Sequence, residues 1–370
     1  MAASDDLAQR SFGTAGDTGR ERRIALATAT RVYAELGALG LVVGEPGRGT
    51  FVRVRSGFDG LEPPRDLPVP RVADLSFNQP LAPGQGDQLR HALRAPATAG
   101  DVEALLRGQP PGGHRHDRAV AAARLLGRGI DAVPHYVLLT SGTQQALDVV
   151  LHAVTRPGDV VAVDAVTCPG IKLLASAHGL DLVPVPATAS GPVLDVLDRL
   201  LRARPVRALC TIPAVHNPLG WVLDRDWRER LAAVARSHDC VIVEDGTHAF
   251  LESSPPPPLQ ALAPERTCHV ADRREDAAAR QGNARAALAG LDVTAHPVSY
   301  VVWLGLEPHQ RPDQVADALA ERGVLVSTRD AFAVGPHRPR ALRLAPAGPR
   351  RDDLGPVLRT VRDVLDAIPP

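Results

Sequence analysis

The sequence predicts an α/β protein in which a largely parallel sheet is covered by helices and is followed by a smaller α+β unit. Between residues 136 and 271, apolar strand-like runs alternate with segments of helical periodicity. After residue 291 this alternation gives way to a mixed pattern of short strands and helices. A chain of 370 residues with 44% hydrophobic content is long enough to bury such a core.

The first 72 residues are predicted to lie outside this sheet. Residues 1–22 have no apolar periodicity and are expected to be unstructured. Residues 23–55 contain a helical stretch and then LVVGEPGRGTFVRV, in which two short strand-like runs flank a Gly-rich turn. This pattern predicts a partial winged helix-turn-helix. Residues 56–72 are rich in proline and glycine and are predicted to form a linker.

Strand, turn and helix succeed one another from residue 136 onward. The paired runs are YVLLTSG with TQQALDVVLHAV, DVVAVDAVTC with PGIKLLASAHG, and ALCTIPAVHN with DWRERLAAVARSHD, before the further strand CVIVEDG. The run PPPP at 255–258 ends this regularity, because proline donates no backbone hydrogen bond. The sequence therefore predicts a large domain over 73–290 and a small C-terminal domain over 291–370, closed by a helix with one apolar face.

Composition argues against several classes of protein. The formal net charge is zero, so the overall field attracts neither nucleic acid nor an acidic membrane. The four cysteines form no CxxC pair, which argues against a disulfide framework or a zinc site, and the HRHD run at 114–117 has no third ligand nearby in sequence. No apolar stretch approaches about 18 residues, and no signal sequence is visible. These features predict a cytoplasmic protein without a metal site.

Three turns that follow predicted strands carry groups able to bind a ligand. In an open α/β sheet, ligands lie beyond the carboxyl ends of the strands. Ser141, Gly142 and Thr143 form a small turn at a helix start, which suits an anion but also has the sequence of an ordinary helix cap. Asn217 precedes a proline, where it is either a ligand group or a turn former. Asp245 ends the apolar strand VIVED, where it either faces a ligand or caps the next helix.

The motifs TSGTQQALD, HNPLG, VEDG and the late ALRL occur in the order found in one known family. They resemble the aspartate aminotransferase fold of pyridoxal-phosphate enzymes, and specifically the GntR/MocR regulators that fuse a winged helix to it. ATATRVYAELGALGLVVGEPGRGTFV is similar to the recognition helix and wing of GntR proteins. The resemblance covers roughly residues 23–270 and 275–370. It implies a three-layer α/β/α large domain, a small α+β domain and a homodimer.

The resemblance also implies roles for individual residues. The turn over 141–143 would hold the phosphate of pyridoxal 5′-phosphate, and Asn217 would hydrogen-bond the hydroxyl of the cofactor ring. Asp245 would pair with the ring nitrogen and keep it protonated, so that the ring can accept electrons. Arg343 would bind a substrate carboxylate with two parallel hydrogen bonds.

The winged-helix segment retains Arg31, Arg48 and Arg53, which either contact a DNA backbone or are ordinary solvated surface. In the family, two helices precede the recognition helix and support it, but residues 1–22 have no apolar face to form them. Ala25 and Leu26 stand where the family has Ser-Arg at the helix start. DNA binding is therefore expected to be weak or absent.

The sequence departs from the family at the covalent attachment of the cofactor. The family attaches it to a lysine on a turn that follows the strand after VED. Here that strand is TCHVA, residues 267–271. The sequence that follows it resembles a helix that lies much closer to the C-terminus in the family. The lysine segment and the strand that the family places between YVLLT and TCHVA are therefore expected to be absent, which predicts unpaired sheet edges. Lys172, the single lysine, lies on the helix after the second strand and is not equivalent.

Three further departures affect positions that contact the cofactor in the family. Cys168 replaces the aromatic residue that stacks on the ring, and a thiol cannot stack. Thr247 replaces the tyrosine that contacts the ring hydroxyl. The segment RGQP at 107–110 replaces the Tyr-Gly-Asp-Pro segment that reaches the phosphate of the neighbouring subunit. The cofactor is therefore expected to be held without a covalent bond or to have been lost.

The sequence leaves three functions open. The first is a MocR-like transcriptional regulator, or a sensor of pyridoxal 5′-phosphate or an amino acid, that lacks transaminase activity. The second is a working pyridoxal-phosphate-dependent class I/II aminotransferase, which would need a lysine that this chain lacks. The third is a decayed homologue without function.

Overall fold

The computed structural model describes most of the chain, which divides into two compact units, residues 1–59 and 60–370. The domain boundaries proposed from the sequence stay predictions. The described residues are 11–13, 25–38, 42–45, 49–52, 73–78, 84–99, 108, 110–188, 190–271, 281, 284–335, 339–349 and 351–369.

The first unit contains a helix and a three-stranded antiparallel sheet in the order β1-β3-β2. The elements are β1 (Ser11–Gly13), α1 (Leu26–Ala38), β2 (Val42–Glu45) and β3 (Gly49–Val52). The predicted helix and the two strands of a wing are therefore present. Residues 11–13 depart from the unstructured N-terminus that the sequence predicts, because they pair with β3. Their strand was missed because three residues are too few to show a period of two.

The described residues of the second unit include thirteen strands and nine helices with defined bounds, and residues 284–287 are helical as well. The strands are β4 (Ala73–Asp74), β5 (Val160–Asp164), β6 (Asp181–Val185), β7 (Ala187–Thr188), β8 (Gly191–Pro192), β9 (Val206–Thr211), β10 (Val241–Asp245), β11 (Thr267–Val270), β12 (Val293–Thr294), β13 (Val302–Gly305), β14 (Val324–Leu325), β15 (Ser327–Thr328) and β16 (Ala341–Leu344). The helices are α2 (Gln85–Ala99), α3 (Arg115–Leu126), α4 (Thr143–Val154), α5 (Pro169–His178), α6 (Leu194–Ala203), α7 (Arg225–Ser237), α8 (Leu259–Leu262), α9 (Pro312–Glu321) and α10 (Arg351–Asp366). Within the described residues, none of the helices is long and apolar enough to cross a lipid bilayer.

A five-stranded parallel sheet in the order β11-β10-β9-β5-β6 forms the centre of this unit. Alternate residues of β5 point to opposite faces. Val160 and Ala162 pack with α6, α7 and α8, whereas Val161 and Val163 pack with α4 and α5. Both faces of the sheet are therefore covered by helices, which confirms the predicted three-layer α/β/α arrangement.

The prediction of a strand at YVLLT is wrong. Pro134–Tyr136 forms a single 3-10 turn, and residues 137–140 join no sheet. The backbone N–H of Leu139 donates instead to the carbonyl of Gly112. The sequence has strand character here, but a strand needs a neighbouring backbone, and β11 is the border of the sheet among the described strands. The unpaired edge predicted for the sheet interior therefore lies at its border.

The C-terminal part contains a four-stranded antiparallel sheet in the order β12-β13-β16-β15, packed against α9 and α10. One face of α10 is fully buried through Leu354, Leu358 and Val361, as its apolar periodicity predicts. Two segments distant in sequence join this core: Leu75 follows β4, which pairs with β14, and residues 284–288 contribute further apolar side chains. This small sheet positions its strand β16 towards the central sheet.

Candidate ligand site

Three neighbouring strands of the central sheet end in polar residues. Asp164 ends β5, Thr211 ends β9 and Asp245 ends β10. The three strands are parallel and adjacent, so these residues lie at one edge of the sheet. Asp164 is fully buried and accepts hydrogen bonds from the Thr211 hydroxyl and the Ile212 amide. It therefore fixes the loop after β9 rather than facing a ligand.

Asp245 is half-buried, and its carboxylate is bonded locally. Its Oδ1 accepts hydrogen bonds from the backbone N–H of Thr247, at 3.0 Å, and from the Thr247 hydroxyl. The Thr247 hydroxyl is also 3.3 Å from the hydroxyl of Thr143, at the start of α4. The start of α4 and the end of β10 are therefore joined through one threonine.

The turn before α4 has the geometry of an anion site at a helix start. Gly142 has a φ of 147° and stands at the N-cap position, a conformation that side-chain-bearing residues rarely adopt. Ser141 and Gly142 are exposed, and no side chain caps the first turn of the helix. The N–H of Ser141 donates to Gln145 Oε1 at 2.6 Å. The free amides of the first turn and the helix dipole therefore favour a negatively charged group here.

The loop after β9 presents Asn217 at the same edge. Its Oδ1 is buried and has no hydrogen-bond partner among the described residues. The ring of His216 stacks on Trp221 at a centroid distance of 3.8 Å, and its Nδ1 accepts from the N–H of Leu219. Val215 has a φ of 50°, a rare and strained conformation for a β-branched residue. The surrounding contacts therefore impose the position of Asn217.

Arg343 approaches this edge from the small sheet. It lies on β16 between Trp303 of β13 and Ser327 of β15, with its side chain opposite to Leu342 and Leu344, which enter the small-domain core. Arg343 is only 4% exposed, yet its Nε and Nη1 have no partner among the described residues. Its guanidinium lies 5.0 Å from the ring centroid of Phe332.

The electrostatic environment of Arg343 is unusual for an arginine. Burial lowers the pKa of Arg343 to about 10, and the neighbouring Cys168 and Asp74 oppose this fall only in part. A buried guanidinium with unbonded N–H groups is costly unless an anion pairs with it. The residue is therefore poised to receive a carboxylate or another small anion.

Cys168 lies between these groups. Burial raises the pKa of the Cys168 thiol to about 11, the Asp245 carboxylate adds to the rise, and the Arg343 guanidinium opposes it. Both charged residues are therefore close to this thiol. A thiol with this pKa stays protonated at neutral pH, so Cys168 is a small neutral group in the site and not a nucleophile.

Lys172 makes a different set of contacts. Its Nζ donates to the backbone carbonyls of Asp330, Ala331 and Ala333 at 2.8, 3.1 and 3.1 Å. Nothing in this arrangement directs the amine towards Asp245 or Asn217. That this lysine faces packing or solvent and is not equivalent to the family's lysine stays a prediction.

The glutamate of VIVED lies behind the site. Glu244 is buried and accepts hydrogen bonds from the amides of Leu259 and Gln260 and from His269 Nδ1 at 2.8 Å. Burial alone would raise the pKa of Glu244, but the charge and hydrogen bond of His269 and the two amides outweigh it, so the pKa is lowered. Glu244 therefore joins β10, β11 and α8, and leaves Asp245 as the carboxylate at the ligand edge.

The structure gathers most of the residues singled out in the sequence. The turn over 141–143, Asp245, Asn217 and Arg343 all lie around the carboxyl ends of β9 and β10 or near Cys168. The ring of Phe332 was missed, because an isolated phenylalanine in a loop has no sequence signal. Arg31 is exposed on α1, and Arg48 lies outside the described residues. In the part of the chain that the structure describes, no cluster of three or more His, Cys, Asp or Glu side chains could hold a metal ion.

Comparison with known proteins identifies related sequences and folds. The sequence model of the family described as aminotransferase class I and II matches residues 70–266. The uncharacterized HTH-type transcriptional regulator YdeF of Bacillus subtilis strain 168 is 28% identical over 152 residues, covering 41% of this chain and 33% of that protein. YjiR of Escherichia coli K12, also described as an uncharacterized HTH-type transcriptional regulator, is 24% identical over 269 residues, covering 65% of this chain and 55% of that protein. The chain thus spans between a third and just over half of the length of these relatives.

A solved structure has the same fold. LysN, the α-aminoadipate aminotransferase of Thermus thermophilus, complexed with N-(5′-phosphopyridoxyl)-L-leucine, superposes with a TM-score of 0.71 and 20% sequence identity. The superposition covers 80% of this chain and 92% of that one. At this identity the likeness concerns the fold, and it agrees with the predicted α/β large domain and small α+β domain.

Proposed function

Because the chain belongs to the aminotransferase class I and II family, we propose that it is a regulator-type member that senses a small carboxylate ligand together with pyridoxal 5′-phosphate, and that it does not transaminate. One observation carries the proposal: Arg343 is buried without a partner for Nε and Nη1, while the only lysine of the chain is bonded elsewhere. The chain therefore keeps a group for recognising an anion and lacks the amine for covalent chemistry.

The residues present fit non-covalent binding of pyridoxal 5′-phosphate. The amides at the start of α4, with Ser141, Gly142 and Thr143, would hold its phosphate, and Asn217 has an amide whose oxygen is still unpaired. Asp245 would face the ring nitrogen and favour its protonated form. When bound, the cofactor would supply an electron-accepting ring. Cys168 leaves one face of the ring without an aromatic neighbour, which would weaken binding.

The same residues do not fit covalent attachment of the cofactor. A lysine used for that purpose must face the aldehyde and be able to lose its proton. Lys172 instead donates to the backbone carbonyls of the segment over 330–333. The proposal therefore assigns binding and orientation to this chain, without a covalent step.

DNA recognition is a weaker part of the proposal. Arg31 is exposed on α1, which precedes the wing formed by β2 and β3. This placement supports at most a contact with a phosphate backbone, which carries no sequence information. We keep the prediction that DNA binding by the chain is weak or absent. A homodimer, typical of the fold by resemblance, also stays a prediction.

The absence of transamination is tested with the purified chain and pyridoxal 5′-phosphate. We expect reversible binding that is removed by dialysis, no conversion of the cofactor by amino donors such as L-alanine or L-glutamate, and no change of cofactor absorbance in Lys172→Ala. Borohydride reduction followed by peptide mapping should attach no pyridoxyl group to Lys172, because its amine is bonded to carbonyls.

An adduct mapped to Lys172, with amino-donor turnover that disappears in Lys172→Ala, would contradict the proposal. The chain would then be a working aminotransferase, the second candidate that the sequence left open.

A further inference from the structure

The three carbonyls bound by Lys172 belong to one short segment, residues 329–334, which we call the 329–334 turn. It begins with a 3-10 turn at Arg329–Ala331. The last carbonyls of such a turn have no partner within it and need donors from elsewhere. Lys172 satisfies those of Asp330 and Ala331, and it also binds that of Ala333. A single ammonium thus caps the end of this turn.

Two further backbone groups of the turn bind the loop that precedes Lys172. The carbonyl of Phe332 accepts from the N–H of Thr167 at 3.0 Å, and the N–H of Val334 donates to the carbonyl of Ala165 at 2.8 Å. Every carbonyl from residue 330 to residue 333 is therefore satisfied by the loop over 165–168 or by Lys172. The turn is attached to the large domain along its whole length.

The turn also carries the ring against which the buried arginine lies. Phe332 is fully buried, and its ring contacts the Arg343 guanidinium at 5.0 Å and Trp303 in an edge-to-face arrangement at 5.9 Å. A guanidinium over an aromatic face is stabilised by the charge distribution of the ring. Because Nε and Nη1 of Arg343 have no hydrogen-bond partner among the described residues, we take the Phe332 ring, which Trp303 also contacts, as the group that orients the guanidinium.

We infer that Lys172 is a positioning residue for the Arg343 anion site: it holds the 329–334 turn, and with it the Phe332 ring that orients the Arg343 guanidinium. The inference deepens the proposed function and rests on it for the identity of the ligand, a carboxylate. The hydrogen bonds of Lys172 to Asp330, Ala331 and Ala333 go to the turn and not to Arg343 itself. Its effect on Arg343 passes through the 329–334 turn. The contact of Lys172 with the turn and the contact of Phe332 with Arg343 can therefore be tested separately.

The first step is tested by hydrogen exchange in Lys172→Met, which keeps the length of the side chain and removes its donors. We expect faster exchange of the amides of Thr167 and Val334, which join the turn to the loop. Arg202→Met is the matched control, since that side chain is 70% exposed on α6 and its loss should leave both amides unchanged. Unchanged exchange in Lys172→Met would overturn the inference.

The second step is tested by titration with pyruvate as the carboxylate probe. We expect Lys172→Met and Phe332→Leu each to weaken pyruvate binding by about tenfold, since small displacements of a binding group have effects of this order or more. The double variant should bind about as weakly as Lys172→Met alone, because both changes act through one element. Fully additive losses would overturn the proposed route.

Failure of the proposed function can be distinguished from failure of the inference about Lys172. If the wild-type chain binds no pyruvate and Arg343→Met changes nothing, the proposed function fails, while the exchange of Thr167 and Val334 still decides whether Lys172 holds the turn. If Lys172→Met does not fold, Lys172→Arg replaces it: the charge is kept but its donors lie in one plane, so we expect an intermediate loss of affinity. Wild-type affinity and exchange in Lys172→Arg would overturn the inference.

Discussion

At the scale of the residue, the chain buries an arginine at a position where a charged side chain lowers the stability of the folded protein. Arg343 is 4% exposed, and two of its nitrogens lack a partner. Burial lowers its pKa to about 10, below the usual value of an arginine, so the charged form is penalised in the folded state. This penalty on stability is fully present below the folded pKa, and it disappears as the pH rises from about 10 towards the unfolded value.

Replacing this charge should stabilise the free protein and abolish ligand binding. We expect Arg343→Met to raise the free energy of unfolding by about 1–4 kcal/mol, because an unpaired buried charge is exchanged for an apolar side chain. Urea denaturation at pH 8 measures this change. Pyruvate binding should be lost in the variant, and in the wild type it should weaken as the pH passes about 10. A less stable Arg343→Met would mean that the guanidinium is paired.

At the scale of the element, the short strand β4 shows how closely two backbones can approach. Gly348 follows β16, and a Cβ built on it would collide with the carbonyl oxygen of Asp74. The neighbouring contacts are backbone hydrogen bonds: Leu75 donates to Leu325 at 2.8 Å, and Ala345 donates to Leu75 at 2.7 Å. No flexible side chain can move aside, so this close approach requires glycine.

We therefore expect Gly348→Ala to lower the free energy of unfolding by about 1–3 kcal/mol or more, as overpacking does elsewhere. Gly86→Ala on α2 is the matched control, because no atom lies within 4 Å of its added Cβ. That variant should be neutral or more stable by up to about 1 kcal/mol. Urea denaturation of both proteins gives the comparison, and equal stabilities would show that β4 is not held against the small sheet.

At the scale of the whole molecule, the parallel sheet ends at β11 among the described strands, and apolar side chains are exposed in the segment that precedes α4, a helix that contacts β11. Tyr136 is 82% exposed and Leu138 is 56% exposed. The strands of parallel sheets are normally buried on both faces and paired within the sheet, so a free edge favours association. We expect the isolated chain to be of marginal stability and to associate in a concentration-dependent manner.

This association is measured by light scattering coupled to size exclusion, alongside a thermal unfolding curve. Tyr136→Ser together with Leu138→Ser should reduce it, whereas Leu89→Ser on α2, which replaces an equally exposed side chain, is the control. A sharp cooperative transition from a clean monomer, unaffected by these variants, would show that the edge at β11 is covered.

The sequence could predict those elements of the fold that depend on the residues of a single local segment. The runs that form β5, β9 and β10, and the polar residues that end them, follow from apolar periodicity and turn chemistry. YVLLT shows the limit, because strand composition does not reveal whether a neighbouring backbone exists to pair with it. Phe332 and the turn that holds it depend on contacts across about 160 residues of chain, between Lys172 and Ala333. No local pattern records such contacts.

The contacts of Lys172 account for a feature of the composition. The 42 basic residues include one lysine, so arginine carries the positive charge at nearly every position that needs it. An arginine presents its N–H groups in a flat fork, which matches planar acceptors such as carboxylates. Lys172 instead donates from one nitrogen to three separate carbonyls, and an ammonium has three N–H donors that diverge from a single atom. Position 172 thus differs from the arginine positions in the geometry of the hydrogen-bond donor that it needs, and not in the charge.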